Sequence, residues 1–202
     1  MLELSLGFLS QYALVEEPML NAKQVADFVT LFRGLLGFGL VWLGLTEGAG
    51  GLDKAVFIMI IAWTGDAIDG KIARRSKEYH QTWIGEHDLE IDMAVSCALL
   101  IYLLTAGFIN VWLASLYVLV WTVILWRWKN VKVLGMLSQA PIYAYFITIA
   151  LILLPNIGVW ILVWMVIAIL ITWPRFPRMI VPGFLGGVRE FLINYRNYNR
   201  GK

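Results

Sequence analysis

The sequence predicts an all-α, polytopic membrane protein: six transmembrane helices in a single domain spanning residues 1–202, preceded by an amphipathic helix on the membrane interface. Three observations predict it. Of 202 residues, 60% are hydrophobic and only 15% are charged. With a mean hydropathy of +0.73, that composition excludes a disordered chain and argues against a soluble domain. The apolar residues gather into six runs of roughly twenty, the length that crosses a bilayer. Fifteen of the sixteen Lys and Arg residues then fall on one side of the resulting serpentine.

Residues 1–22 carry the short amphipathic segment LELSLGFLSQYALVEEPML, expected as a helix lying on the cytoplasmic interface. It is acidic, so attraction to anionic lipid does not explain it, and packing against the inner face of the bundle is an equal reading. It lacks a basic n-region, so no secretory leader is expected. The spans follow at about 28–45, 55–73, 84–106, 109–126, 134–154 and 159–173, forming a bundle over 28–173. Their links are short: 46–54, 107–108, 127–133 and 155–158. Nothing suggests a second domain, a repeat or a low-complexity linker. The tail 176–202 is basic and rich in Asn and Tyr, and reads as a solvated cytoplasmic segment facing lipid headgroups. The single Cys97 excludes an internal disulfide and reads as a small buried apolar residue.

Basic residues orient the serpentine. The link 46–54 has only Lys54, and the links at 107–108 and 155–158 have none. Both termini and the stretch 66–92 are therefore expected on the cytoplasmic side of the cell membrane. Trp42, Trp112 and Trp160 fall at outer ends of spans, and Trp83, Trp126, Trp128 and Trp173 at inner ends, as an aromatic belt requires.

Between the second and third apolar runs the chain reads GDAIDGKIARRSKEYHQTWIGEHDLEID. Acids at a membrane edge are costly and need partners. Asp66/Asp69 and Asp88/Asp92 are spaced by three and four, so each pair shares a helix face. Four converging carboxylates can hold two hard divalent cations, magnesium being the natural one for carboxylate and phosphate oxygens. Gly70 and Ala73 lack bulk and would admit a ligand close to the backbone; Arg74 can fork onto phosphate oxygens. An isolated acid pair could instead be ion-paired with Arg74 or Arg75, or belong to a proton path; the second half of the pattern argues against both. Gly85 alone would read as a helix-packing residue. His80 and His87 lack a second ligand at zinc-type spacing and read as solvated or hydrogen-bonded.

The eight positions Asp66, Asp69, Gly70, Ala73, Arg74, Gly85, Asp88 and Asp92 resemble the signature of the CDP-alcohol phosphotransferase (CDP-alcohol phosphatidyltransferase) family, D-x2-D-G-x2-A-R followed by G-x3-D-x3-D, with one departure: only Glu86 and His87 separate Gly85 from Asp88. The spacer from Arg75 to Ile84 has ten residues, against about eight in most relatives. The resemblance implies a phospholipid-synthesis enzyme. It would transfer a substituted phosphate from a CDP-linked lipid, such as CDP-diacylglycerol, to an acceptor alcohol and release CMP. It implies two Mg2+ (or Mn2+) ions held by Asp66, Asp69, Asp88 and Asp92, with Asp92 also the general base. It implies a nucleotide and donor seat at Asp66, Asp69, Gly70, Ala73 and Arg74. Thr30-Leu-Phe-Arg33 resembles the T-x-x-R of relatives and adds Thr30 to the donor side; Asp27 stands where relatives often have Asn. It also implies a homodimer, to which small residues Ser96, Ala98, Ala114 and Ser115 would contribute.

The acceptor is less legible. A phosphorylated one, such as glycerol phosphate or inositol phosphate, needs a cationic pocket, and Arg127, Lys129, Lys132, Arg175 and Arg178 are on the correct side. Positive-inside placement would put basic residues there anyway. The fifth span has no Arg of its own, which weakens the inositol phosphate reading. The alternative class is an ion-coupled transporter using the acids as a cation site, which expects midplane carboxylates and internal repeats. No nucleic acid partner is expected.

Overall fold

The computed structural model describes residues 19–75, 87–127 and 131–173, with isolated positions at 178, 182, 185, 186 and 189; side chains of 19–24, 69–75, 131 and 132 are not among those described. Among the described residues there are six α-helices and a 3-10 turn: α1 (Met19–Thr46), the turn Gly48–Gly51, α2 (Leu52–Arg75), α3 (Asp88–Thr105), α4 (Val111–Arg127), α5 (Val131–Leu153) and α6 (Pro155–Thr172). No strand occurs among them.

Local chemistry sets the ends. Gly107 takes φ +76°, and this lets the chain close α3: Phe108 N–H donates to the Leu103 carbonyl at 2.9 Å and Gly107 N–H to Leu104 at 3.1 Å. Asn110 opens α4 by accepting from Trp112 N–H at 2.8 Å. Pro155 opens α6, where its missing N–H costs nothing. Pro141 lies inside α5 and removes the donor that would reach the Leu137 carbonyl. One residue along, the Tyr117 hydroxyl donates to the Ser138 carbonyl and ties α4 to that turn.

Helix α1 packs mainly on α3 and α2. Its glycines set the approach to α3: a Cβ on Gly37 would lie 3.5 Å from Ala98 Cβ, and one on Gly44 only 2.2 Å from Thr105 Oγ1. The core joins Leu40 and Leu43 of α1, Val56 and Met59 of α2, Leu99, Tyr102 and Leu103 of α3, and Phe146 of α5. At the opposite end from the acids, Lys54 pairs with Glu47. That hydrogen bond holds the Lys54 ammonium above its ordinary value.

The helices match the expected spans to within a few residues, except that α1 already begins at Met19, ahead of residue 28. Among the described residues, three helical segments are long and apolar enough to cross a membrane: Val25–Thr46, Val133–Leu153 and Pro155–Thr172; Val111–Arg127 is apolar but shorter. Helices α2 and α3 do not qualify because they carry the acids themselves, Asp66 and Asp69 in one, and Asp88, Glu90 and Asp92 in the other. In α6 only Gly158 and Ile161 are buried, and large apolar side chains such as Phe38, Trp112, Leu119 and Leu170 lie exposed. Such surfaces belong against lipid. Cys97 also lies on an exposed face and is not a core residue, because α3 turns Ala98 and Leu99 inward beside it. The expected interfacial helix over 1–22 falls largely outside the described residues, as do the spacer and most of the tail.

Candidate active site

Helix α1 touches both α2 and α3, so one α1 residue can reach acids on each. That residue is Arg33. Its side chain is 6% exposed, yet it meets three carboxylates: Asp66 of α2 through Nη1 at 3.4 Å, and Asp88 of α3 through Nη1 at 3.3 Å. Its Nη2 donates to Asp92 of α3. Carboxylate oxygens of Asp66, Asp88 and Asp92 all lie within 4.8 Å of one another. The side chains are 52%, 41% and 24% exposed respectively, so the cluster opens outward and Asp92 is its deepest member.

The sequence positions these groups in three ways. Four-residue spacing puts Asp88 and Asp92 on one face of the first turns of α3. Gly65 gives the Arg33 stem its path, since a Cβ there would sit 3.0 Å from both Arg33 Cγ and Cδ. Gly135 lets α5 close on α3 beside the acids, with the place of a Cβ 3.3 Å from Met93 Sδ and 3.4 Å from Leu89 Cδ1. Hard oxygen donors at this separation, carrying three negative charges against one positive, suit a divalent cation.

Of the residues expected at the site, Asp66, Asp88 and Asp92 come together. Thr30 is buried on α1, one turn before Arg33. Asp69, Gly70, Ala73 and Arg74 continue α2 beyond Asp66, with side chains outside the described set. Gly85 lies outside the described residues. Arg127 ends α4 and Lys132 begins α5, the latter without a described side chain. Lys129 and Arg175 lie outside the described residues. The sequence reading missed Arg33 as the centre of the cluster, although an Arg inside an apolar span calls for an acidic partner. It also missed Gly65, whose only signal is its place directly before Asp66.

A family sequence model described as CDP-alcohol phosphatidyltransferase matches residues 23–173. No significant match is found among curated proteins or among solved structures. The matched segment covers well over half of the chain and contains both the acids and the helices that gather them. The chain therefore belongs to the CDP-alcohol phosphatidyltransferase family, membrane transferases that move a phosphatidyl group from a CDP-alcohol.

Proposed function

We propose that the protein transfers the phosphatidyl group of a CDP-diacylglycerol-type donor to a small alcohol, releasing CMP, as a step of phospholipid synthesis. The acceptor hydroxyl oxygen attacks the phosphorus next to the lipid. The bond from that phosphorus to the bridging oxygen breaks, CMP leaves, and the hydroxyl proton passes to the Asp92 carboxylate. The observation that carries this reading is the convergence of Asp66, Asp88 and Asp92 in a chain of this family.

Members of the family use divalent metals. Here Asp66, Asp69, Asp88 and Asp92 would hold two, Mg2+ or Mn2+. When bound, such ions offset the charge of the pyrophosphate and of the leaving group. Gly70 and Ala73 leave room for the nucleotide, Arg74 forks onto donor phosphate, and Thr30 adds a hydroxyl on the donor side. Arg127, Lys129, Lys132 and Arg175 are the candidates for an acceptor phosphate. The gathering of the acids around the start of α3 supports a transferase over a transporter. The test is CMP release from CDP-diacylglycerol with a panel of acceptor alcohols. Chelation with EDTA should abolish it, and magnesium or manganese should restore it. Full activity in chelator would remove the metal from the reading.

The same reading puts the protein in the cell membrane with both termini and the site cytoplasmic, supported by the basic asymmetry. Cysteine introduced at Gly50 or Asn156 should label from outside intact cells, and cysteine at Ser76 should not; the reverse pattern refutes the orientation. A homodimer also belongs to the reading. Of the small residues expected at that contact, Ser96, Ala98 and Ala114 are buried within the protomer; the support left is exposed Ser115, in an apolar groove of about 350 Å³ between α3 and α4 with Ile101, Leu104 and Val118. Crosslinking in mild detergent should return a dimer, and monomer alone would count against it.

A further inference from the structure

Behind the carboxylates lies a second polar layer that the family signature does not include. Gly135, Gln139 and Tyr143 are spaced by four along α5 and so share one face. Gly135 rests on Leu89 and Met93, the neighbours of Asp88 and Asp92. Gln139, one turn further in, is only 7% exposed. The Tyr143 hydroxyl donates to Gln139 Oε1 at 3.1 Å.

Tyr143 is held from the α2 side. Its ring meets Trp63 edge-on, with centroids 5.5 Å apart at 86°. Trp63 packs on Trp164 of α6 at 5.7 Å, and Trp164 Nε1 donates to Thr64 Oγ1 at 2.8 Å. Trp63 and Thr64 lead directly into Gly65 and Asp66. Tyr143 is accordingly within electrostatic reach of both Arg33 and Asp66.

With Oε1 engaged, the Gln139 amide keeps two N–H donors, and they meet no protein acceptor among the described residues. The amide nitrogen is not among the fully buried side-chain atoms that lack a hydrogen-bond partner in the described residues, so it is not sealed in and its donors stay open to a bound group. The pair carries no formal charge. It therefore suits a neutral hydroxyl better than a phosphate, which would call for a cation.

We propose that Gln139, oriented by Tyr143, is a positioning residue for the acceptor alcohol. Its amide donates to a hydroxyl or other neutral oxygen of the acceptor, holding the attacking hydroxyl beside Asp92. Acceptor choice is then divided between two regions. The neutral polar part is read by α5 within the bundle, and any phosphate is read by basic residues at the cytoplasmic rim. The inference rests on the transferase reading above.

The test is steady-state CMP release with CDP-diacylglycerol as donor and glycerol phosphate, inositol phosphate and serine as acceptors. Gln139→Leu keeps the bulk and removes the donors. The acceptor KM should rise about tenfold or more, while the donor KM stays within about twofold. Tyr143→Phe frees the amide to turn and should raise the acceptor KM by a smaller factor, about threefold. It leaves ring packing intact, so it decides the matter if Gln139→Leu does not fold. A merely structural role would move both KM values or neither. An active wild type with an unmoved acceptor KM in these variants overturns this inference alone. No CMP release from the wild type with any acceptor overturns the transferase reading beneath it.

Discussion

Asp92→Asn should lower CMP release by about 10²–10⁴-fold, the usual cost of a lost general base. Among the clustered carboxylates Asp92 is the least exposed and is paired with Arg33. It is also one helical turn beyond Asp88, so both lie on the same face of α3. The amide of the variant keeps the size of the side chain and an oxygen for Arg33, so the packing of α1 on α3 should survive. What disappears is the basic oxygen proposed to take the acceptor proton. Donor binding should survive better than turnover, because Asp66 and Asp88 remain clustered and Asp69 still follows on α2. Measuring CDP-diacylglycerol binding beside CMP release separates the two roles. Near-normal turnover would remove Asp92 from the base role, and equal losses of binding and rate would leave it as a ligand only.

The parts of the fold legible in the sequence are those written in hydropathy and in turn chemistry. Apolar runs located the helices, because lipid demands about twenty apolar residues per crossing, although only three helical segments among the described residues are long and apolar enough to cross. The α3–α4 link was legible at 107–108 as a break between apolar runs, where Gly107 and Asn110 end and open helices by local bonds. The acids were legible as a site because their spacing repeats the helix period on two separate segments. What was not legible depended on which helices become neighbours. Arg33 read as one residue of a T-x-x-R pattern, since nothing local reveals that α1 touches both acid-bearing helices. Gln139 and Tyr143 carry no local signal in the sequence, because what holds them is the contact of Tyr143 with Trp63, some eighty positions away along the chain. Cys97 was read as buried on residue type alone, while the face it occupies is set by how α3 rotates against α1.

Arg33→Met should destabilise the protein most strongly in chelator, and divalent cation should recover part of the loss. Arg33 is the buried positive charge shared by Asp66, Asp88 and Asp92, and one guanidinium fork serves acids on two helices. Methionine keeps the length and apolar stem but leaves three carboxylates with oxygens within 4.8 Å of one another. Removing one partner of a buried ion pair costs about 3–5 kcal/mol. Solvent screens part of that here, because Asp66 and Asp88 are 52% and 41% exposed. A loss of about 2–3 kcal/mol is therefore expected, at the low end for a buried pair. A divalent cation offers the carboxylates the same sign of charge that Arg33 supplies. Magnesium should accordingly raise the melting temperature of the variant more than that of the wild type. Arg33→Lys should fall between the two, since a single ammonium cannot fork across three carboxylates. Thermal melting in mild detergent, with EDTA and then with excess magnesium, reads these differences directly. A melting temperature in EDTA that does not change on Arg33→Met would mean that the acids are held apart from the helix packing alone.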